Sequence, residues 1–408
     1  MVLPRDARLI LSTRSVRSFS DGFVSILLAS YLTELDFSGF AVGAVATVTL
    51  LGTALATLAA GALADRLGRR RVLVLGTLLA AGTGVVMASS SELLPILLIA
   101  AVGTLNPSAG DVSIFLPVEQ AMLPQTVAGE RRTQMFARYN VAGALAAATG
   151  ALFAAAPSLL ERWMGWDTLP VLRGMFVLYG ALALLNLAAY SRLSPGVEPP
   201  HVQERRAPLH RSRGIVLKLS ALFAVDAFAG GFIVQSILAL WLFERYGLST
   251  GQAGVIFFGA GIFAAVSFLV AARVADRFGL VNTMVFTHLP SNILLMLVPL
   301  MPNVGLAVAV LLARQSLSQM DVPTRQSYTM AVVEPDERAA AASVTGVARS
   351  ISSAGSPVIA GAMLAASTFG WPLIAAGALK SLYDLVLLGQ FRSVRPAEEV
   401  ARIEPVGR

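Results

Sequence analysis

The chain has 408 residues, of which 56% are hydrophobic and only 13% charged, with a mean hydropathy of +0.71 and a formal charge of +7. A soluble domain carries about 25% charged residues, so this composition excludes an ordinary water-soluble fold and points to lipid as the solvent. The absence of cysteine excludes a disulfide framework, a cysteine metal site and a thiol nucleophile, and three scattered histidines (His201, His210 and His288) do not form a His-rich metal site.

The first residues carry arginines but no short apolar core followed by a small-residue cleavage site. The first helix, about 16–35, is therefore expected to act as its own insertion signal rather than as a cleaved leader. A spanning helix needs about 20 mostly apolar residues. Residues 37–64, 72–91, 93–110, 139–160, 174–191 and 246–272 contain no Asp, Glu, Lys or Arg. The uncharged stretch 278–313 is too long for one span, and Pro299 and Pro302 divide it into two. Residues 350–379 divide likewise at Gly370, Trp371 and Pro372. With a seventh helix at about 219–243, the sequence predicts an all-α membrane protein with twelve transmembrane helices.

Lys and Arg set the orientation. Of 31 such residues, 24 fall in segments that share a side with the N-terminus, and only Arg162, Arg173 and Arg245 fall opposite, where Glu34, Asp36, Glu92, Glu161, Asp167 and Glu244 cluster. Both termini are expected in the cytoplasm, which also accounts for the basic balance without invoking nucleic acid. Residues 192–213, rich in Pro, Arg and Glu, read as a cytoplasmic linker. It separates an N-terminal six-helix bundle, 1–191, from a C-terminal one, 214–408, that ends in a short cytoplasmic tail.

The two bundles are related in sequence. Gly43, Asp65, Arg66 and Gly68 recur as Gly254, Asp276, Arg277 and Gly279 at a constant offset of 211. Pro117 and Gln120 recur as Pro323 and Gln326 at 206, and Glu130-Arg131 as Glu337-Arg338 at 207. Six spans return the chain to its starting side, so this is a parallel repeat of the kind that places a substrate site near the membrane midplane between halves.

Between spans two and three lies Gly61-Ala62-Leu63-Ala64-Asp65-Arg66-Leu67-Gly68-Arg69-Arg70-Arg71. Gly61 allows close helix approach and Gly68 a tight turn. Asp65 stands at a helix end, where a carboxylate can face a neighbouring helix N-terminus and cationic side chains. The run resembles the cytoplasmic loop signature of the major facilitator superfamily, G-x-L-x-D-R-x-G-R-R/K-x, and a reduced copy, Ala272 to Gly279, lacks the leading glycine and the trailing basic residues. The resemblance implies the major facilitator fold and a network that closes a cytoplasmic gate, carried here by Gly61, Asp65, Arg66, Gly68, Arg69 and Arg70 and by Asp276, Arg277 and Gly279. Two features of the family's drug antiporters are missing: the arginine of an R-x-x-Q-G pattern in span four, where Asn106-Pro107-Ser108-Ala109-Gly110 stands, and the glycine-rich run late in span five.

Ionisable groups within spans are costly and face the bundle interior. They are Asp21, Asp111, Asp226, Arg314, Asp321, Arg349, Lys380 and Asp384. Arg314 lies about ten residues, or roughly 15 Å, into span ten, and is expected to hold an anionic substrate group or a proton-accepting carboxylate. Asp111, Asp226 and Asp21 are the other candidates for substrate or coupling. Glu119 and Arg325, repeat-related and oppositely charged, suggest an inter-half or gate interaction, as do Arg138 and Arg349. Lys380 and Asp384, spaced i, i+4, are expected to neutralise each other. Tyr139, Asn140, Gln235 and Trp241 are lesser candidates for substrate contact.

These features predict a secondary transporter, not an enzyme. No P-loop occurs, no cofactor or metal is implied, and the partners are a small-molecule solute, protons as the coupling ion and the lipid bilayer. Export is preferred over uptake because the gate loop resembles that of exporters. The alternatives are an uptake permease or facilitator for a small anionic or zwitterionic metabolite, and a transport-inactive receptor or assembly factor. A monomer in the bacterial inner membrane is expected.

Overall fold

The computed structural model describes residues 3–108, 113–126, 132–198, 209–334 and 337–392. Among them the secondary structure is helical throughout, without strands. In the N-terminal half, span 1 is α1 (Arg5–Glu34), span 2 α2 (Gly39–Leu67) and span 3 α3 (Arg69–Ser89). Span 4 is broken into α4 (Leu93–Ala100) and α5 (Leu116–Thr126), span 5 into α6 (Arg132–Phe153) and α7 (Ala156–Met164), and span 6 is α8 (Thr168–Tyr190). In the C-terminal half, span 7 is broken into α9 (Arg213–Gly231) and α10 (Gln235–Tyr246), span 8 is α11 (Thr250–Phe278) and span 9 α12 (Leu280–Leu297). Span 10 is broken into α13 (Val304–Ser318) and α14 (Asp321–Ala331), span 11 is α15 (Arg338–Ala366) and span 12 α16 (Trp371–Phe391).

Eight of these described segments are long and apolar enough to cross a membrane by length and composition. The others fall short for visible reasons. Span 1 carries Arg14, Arg17 and Asp21, the helices of spans 4 and 10 are each shorter than 18 residues, and span 11 carries Arg338, Arg349 and several serines. Exposed Leu75, Leu79, Val85, Leu184, Leu185 and Leu269 cover helix faces that only lipid can solvate.

The repeat is visible in the backbone. Gly68 and Gly279 close the turns after spans 2 and 8 at φ of 92° and 84°, a region that a residue with a Cβ enters only under strain. Each is also the N-cap of the following helix, α3 or α12. Helix–helix contacts rest on small residues. A Cβ at Gly22 would collide with the Ala147 carbonyl, and one at Gly150 with that of Phe19, so α1 and α6 pack backbone to backbone. Gly84 lets α3 approach α8 in the same way, and Gly377 seats α16 on α12 at Asn292 and Met296.

Packing divides the chain differently from the repeat. One unit comprises 1–203 with 234–262 and 357–368, and the other 204–233, 263–356 and 369–408. Within the first, Gly39 and Gly43 of α2 lie against Pro357 and Gly361 of α15, and Val358 N–H donates to Thr47 Oγ1 at 3.0 Å. Gly254 of α11 meets the Ala151 carbonyl of α6 in the same unit.

Candidate functional site

The interruption of span 4 leaves backbone groups that neighbouring side chains take up, as burial in a membrane requires. Thr53 Oγ1 donates to Gly103 O at 3.0 Å and Tyr179 OH to Thr104 O at 2.7 Å. Gly103 stacks directly on the Gly52 backbone. Pro107 O accepts from Ser236 N–H at 2.9 Å, so the broken stretches of spans 4 and 7 touch within the first unit.

Opposite this break stands Asp21 of α1. It is 5% exposed, and its one hydrogen bond among the described residues is a long one from Asn106 Nδ2 at 3.4 Å. With Arg17, Thr104, Asn106, Ser113 and Phe115 it lines a small cavity. One turn earlier in α1, Arg17 forks onto Glu119 of α5, with Nη1 to Oε1 at 3.0 Å and Nη2 to Oε2 at 2.7 Å. Thr13 Oγ1 donates to Oε1 at 3.2 Å, and the hydroxyls of Tyr139 and Tyr190 complete the shell. Glu119 is wholly buried, yet both of its oxygens are saturated by donors from spans 1, 5 and 6.

The second unit holds a larger ionic cluster. Asp226 of α9 accepts from Lys380 Nζ at 2.6 Å through Oδ1, and from Arg349 at 3.0 Å and Arg325 at 3.2 Å through Oδ2. Arg325 also donates to Asp321, one turn earlier in α14, at 2.7 Å. Asp384 turns the other way, taking His288 Nδ1 at 3.0 Å and Asn292 Nδ2 at 2.8 Å. The expected self-neutralising pair is thus corrected: Lys380 reaches span 7 and Asp384 reaches span 9, because closer partners lie across the helix interfaces than along the helix.

The clusters occupy equivalent places with opposite polarity. Positions 17, 115 and 119 correspond to 223, 321 and 325 at a constant offset of 206, and read Arg, Phe, Glu in one half and Phe, Asp, Arg in the other. Arg17 lies over the Phe115 ring at 4.8 Å, and Arg325 over the Phe223 ring at 5.5 Å. Glu119 and Arg325 are each satisfied inside their own unit. Arg17 is the partner of the one, and Asp321 and Asp226 are the partners of the other. Arg349 is likewise drawn to Asp226, whereas Arg138 is exposed on α6.

Arg314 of α13 is 8% exposed. Its Nη1 donates to Gln315 Oε1 at 3.1 Å, and its Nε is buried without a partner among the described residues. Asp111 lies outside the described residues, as do the side chains of Asp65 and Arg66 and the surroundings of Gly61. Asp276 and Arg277 are exposed beside Gly279.

The signature loop is clasped by the linker. Glu198 accepts the backbone N–H of Arg69 at 2.7 Å and of Arg70 at 3.0 Å, a carboxylate set on the N-terminus of α3. Arg69 Nη1 in turn donates to the carbonyls of Ala121 and Val197. The other end of the linker is held by Glu337, which accepts the N–H groups of His210, Arg211 and Ser212 at 2.8–2.9 Å. These donors hold the Glu337 carboxyl below the usual range, at about 2, against the opposing effect of desolvation. Tyr139 belongs to the Glu119 shell, and Trp241 is buried with its Nε1 on Thr368 O at 3.2 Å. Asn140 is exposed, and the Nε2 of Gln235 is buried without a partner among the described residues. Arg17, Tyr190, Glu198, His288 and Asn292 were not anticipated. Only the offset of 206 that links Glu119 to Arg325 pointed toward their neighbourhood.

A duplicated set of lipid-facing helical rods, interrupted near buried charges, defines a polytopic membrane transporter. The sequence matches the Major Facilitator Superfamily over residues 10–313 and again over 220–405, and the chain belongs to that family. It is 24% identical over 425 residues to the uncharacterized membrane protein YJR124C of Saccharomyces cerevisiae, covering 96% of this chain and 95% of that one. It is 26% identical over 289 residues to the uncharacterized MFS-type transporter YceJ of Bacillus subtilis, covering 70% and 69%. Among solved structures it resembles a bacterial homolog of the human lysosomal transporter Spinster in an inward-facing and occupied conformation. That match has a TM-score of 0.75 at 14% identity over 95% of this chain and 97% of the other, and it speaks to the fold.

Proposed function

We propose that this family member is a proton-coupled exporter of a small organic solute, seated in a bacterial plasma membrane with both termini inside, and working as a monomer by alternating access. The positive-inside bias of Lys and Arg supports the orientation. The observation that carries proton coupling is the contrast between Asp21 and Glu119, the buried carboxylates among the described residues of the first unit. Glu119 has donors on both oxygens, whereas Asp21 borders a cavity with one long hydrogen bond. Among the described residues Asp21 is the carboxylate of that half with room for a proton. Asp111 and Asp226 join it as coupling candidates, Asp226 by tying spans 7, 10, 11 and 12 together. The gate role of Asp65, Arg66, Arg69 and Arg70 is supported by the clasp of Glu198 on the same loop, with Asp276 and Arg277 as its weaker counterpart.

The test is proton movement in proteoliposomes loaded with a pH-sensitive dye and challenged with a panel of organic solutes. Asp21→Asn is expected to abolish gradient-driven accumulation while sparing solute exchange at equal concentrations. Asp65→Asn is expected to slow both. Undiminished gradient-driven accumulation by Asp21→Asn contradicts the coupling assignment, and solute flux without proton movement in the wild type identifies a facilitator instead.

A further inference from the structure

The interior of the C-terminal half carries one cation more than its carboxylates. Leaving aside the exposed residues at the helix ends and counting His288 as neutral, the described ionisable residues inside its spans are the cations Arg314, Arg325, Arg349 and Lys380 and the acids Asp226, Asp321 and Asp384. Arg325, Arg349 and Lys380 are all ion-paired. Asp321, seven residues after Arg314, is engaged by Arg325. Arg314 is therefore the surplus charge, and among the described residues no carboxylate contacts it. Leaving a guanidinium buried and unpaired is costly, so a site that keeps one is a site that expects an anion from elsewhere.

The geometry of the free edge says which kind. Gln315 occupies Nη1, while Nε and Nη2 donate to nothing among the described residues. Nε and Nη2 form the side-on edge of the guanidinium, two parallel donors that match the two oxygens of one carboxylate. Gln315, Ser318 and Gln319 are linked by hydrogen bonds alongside, which offers neutral polar groups to the rest of a solute. One monoanion brings the interior to neutrality; a dianion overshoots. The position fits as well. Arg314 lies about 15 Å into its span, half of the roughly 30 Å hydrocarbon core, and the break of span 10 follows at Gln319 and Met320.

We propose that Arg314 is the recognition residue for the carboxylate of the transported solute, and that the substrate class is small organic monoanions. This rests on the transporter reading above. The experiment is thermal unfolding of the detergent-solubilised full chain, wild type and Arg314→Met, with sodium formate, acetate or benzoate, and with benzamide, sodium phosphate and sodium chloride at matched ionic strength. Without additive, Arg314→Met is expected to melt about 2 °C or more above wild type, since it removes an uncompensated buried charge. At least one carboxylate is expected to raise the wild-type melting temperature by several degrees while leaving Arg314→Met unmoved, and benzamide is expected to do nothing.

A lower melting temperature for Arg314→Met overturns the proposal, because it reveals a partner within the chain. So does an absence of any carboxylate effect beyond that of chloride, and so does an equal effect of phosphate, which makes the site a general oxyanion site. Solute flux in proteoliposomes separates this from the reading beneath it. Wild-type flux confined to neutral or cationic solutes removes the anion assignment and keeps the transporter. Arg314-dependent stabilisation by carboxylates with no flux of any solute does the reverse.

Discussion

The buried pair between Arg17 and Glu119 makes a quantitative prediction. In Glu119→Gln the carboxylate that receives both guanidinium nitrogens of Arg17, the Thr13 hydroxyl and two tyrosine hydroxyls becomes an amide with one acceptor oxygen. Its new NH2 group faces donors where acceptors are needed, and Arg17 remains buried with its charge uncompensated. Removing one partner of a buried pair costs about 3–5 kcal/mol, and the loss of bidentate geometry places this case toward the upper end. The melting temperature of the purified protein should fall by several degrees. Arg17→Met together with Glu119→Gln should recover a large part of that loss, because the stranded charge is gone, giving a coupling energy of at least about 1 kcal/mol in a double-mutant cycle. A Glu119→Gln variant that melts with wild type, or a double variant that sums the two single losses, refutes the idea that this pair is a closed and desolvated node.

Three further outcomes are expected. Asp226→Asn strands Lys380 and Arg349 and leaves Arg325 with Asp321 alone, and should destabilise by more than Asp384→Asn, whose partners His288 and Asn292 are not obligate cations; melting of the two variants side by side decides it. Glu198→Gln should loosen the linker from the N-terminus of α3 at a cost of about 1–2 kcal/mol, read out as faster limited proteolysis of the linker. Glu337, held at about 2 in the fold against about 4.3 in an unfolded chain, contributes stability that is fully present above the unfolded value and lost as pH falls through the folded one. Glu337→Gln should therefore be less stable than wild type at neutral pH and converge with it toward pH 2.

What the sequence made readable follows from what each signal depends on. Span number, linker and repeat depend on run length, charge bias and recurrence, all of them local, and the glycines at 68 and 279 kept their turn in both halves because only backbone conformation was at issue. Side-chain partners depend on which helix lies across the interface. Lys380 and Asp384 have the spacing of an intrahelical pair, yet Asp226 and the His288–Asn292 pair offer better partners across helices. Arg17 sits among N-terminal basic residues that serve orientation, and nothing local marks it as the counter-ion of a residue 102 positions away. The interruption of span 4 was hidden for the same reason: residues 93–110 are charge-free, and the side chains that stabilise the broken backbone come from spans 2 and 6.

The reversed polarity of the two nodes has a consequence for how such a chain can evolve. After duplication, both copies begin with the same charges at equivalent positions, and exchanging them in one half passes through intermediates that leave a charge stranded in an apolar interior. Substitution at these positions is thus constrained to travel in concerted groups, Arg, Phe and Glu in one lineage of positions against Phe, Asp and Arg in the other. A hybrid that sets span 1 beside span 10 brings together Arg17 and Arg325 with Asp321 as the one carboxylate that span 10 carries along, and is expected to accumulate less in the membrane than the native chain.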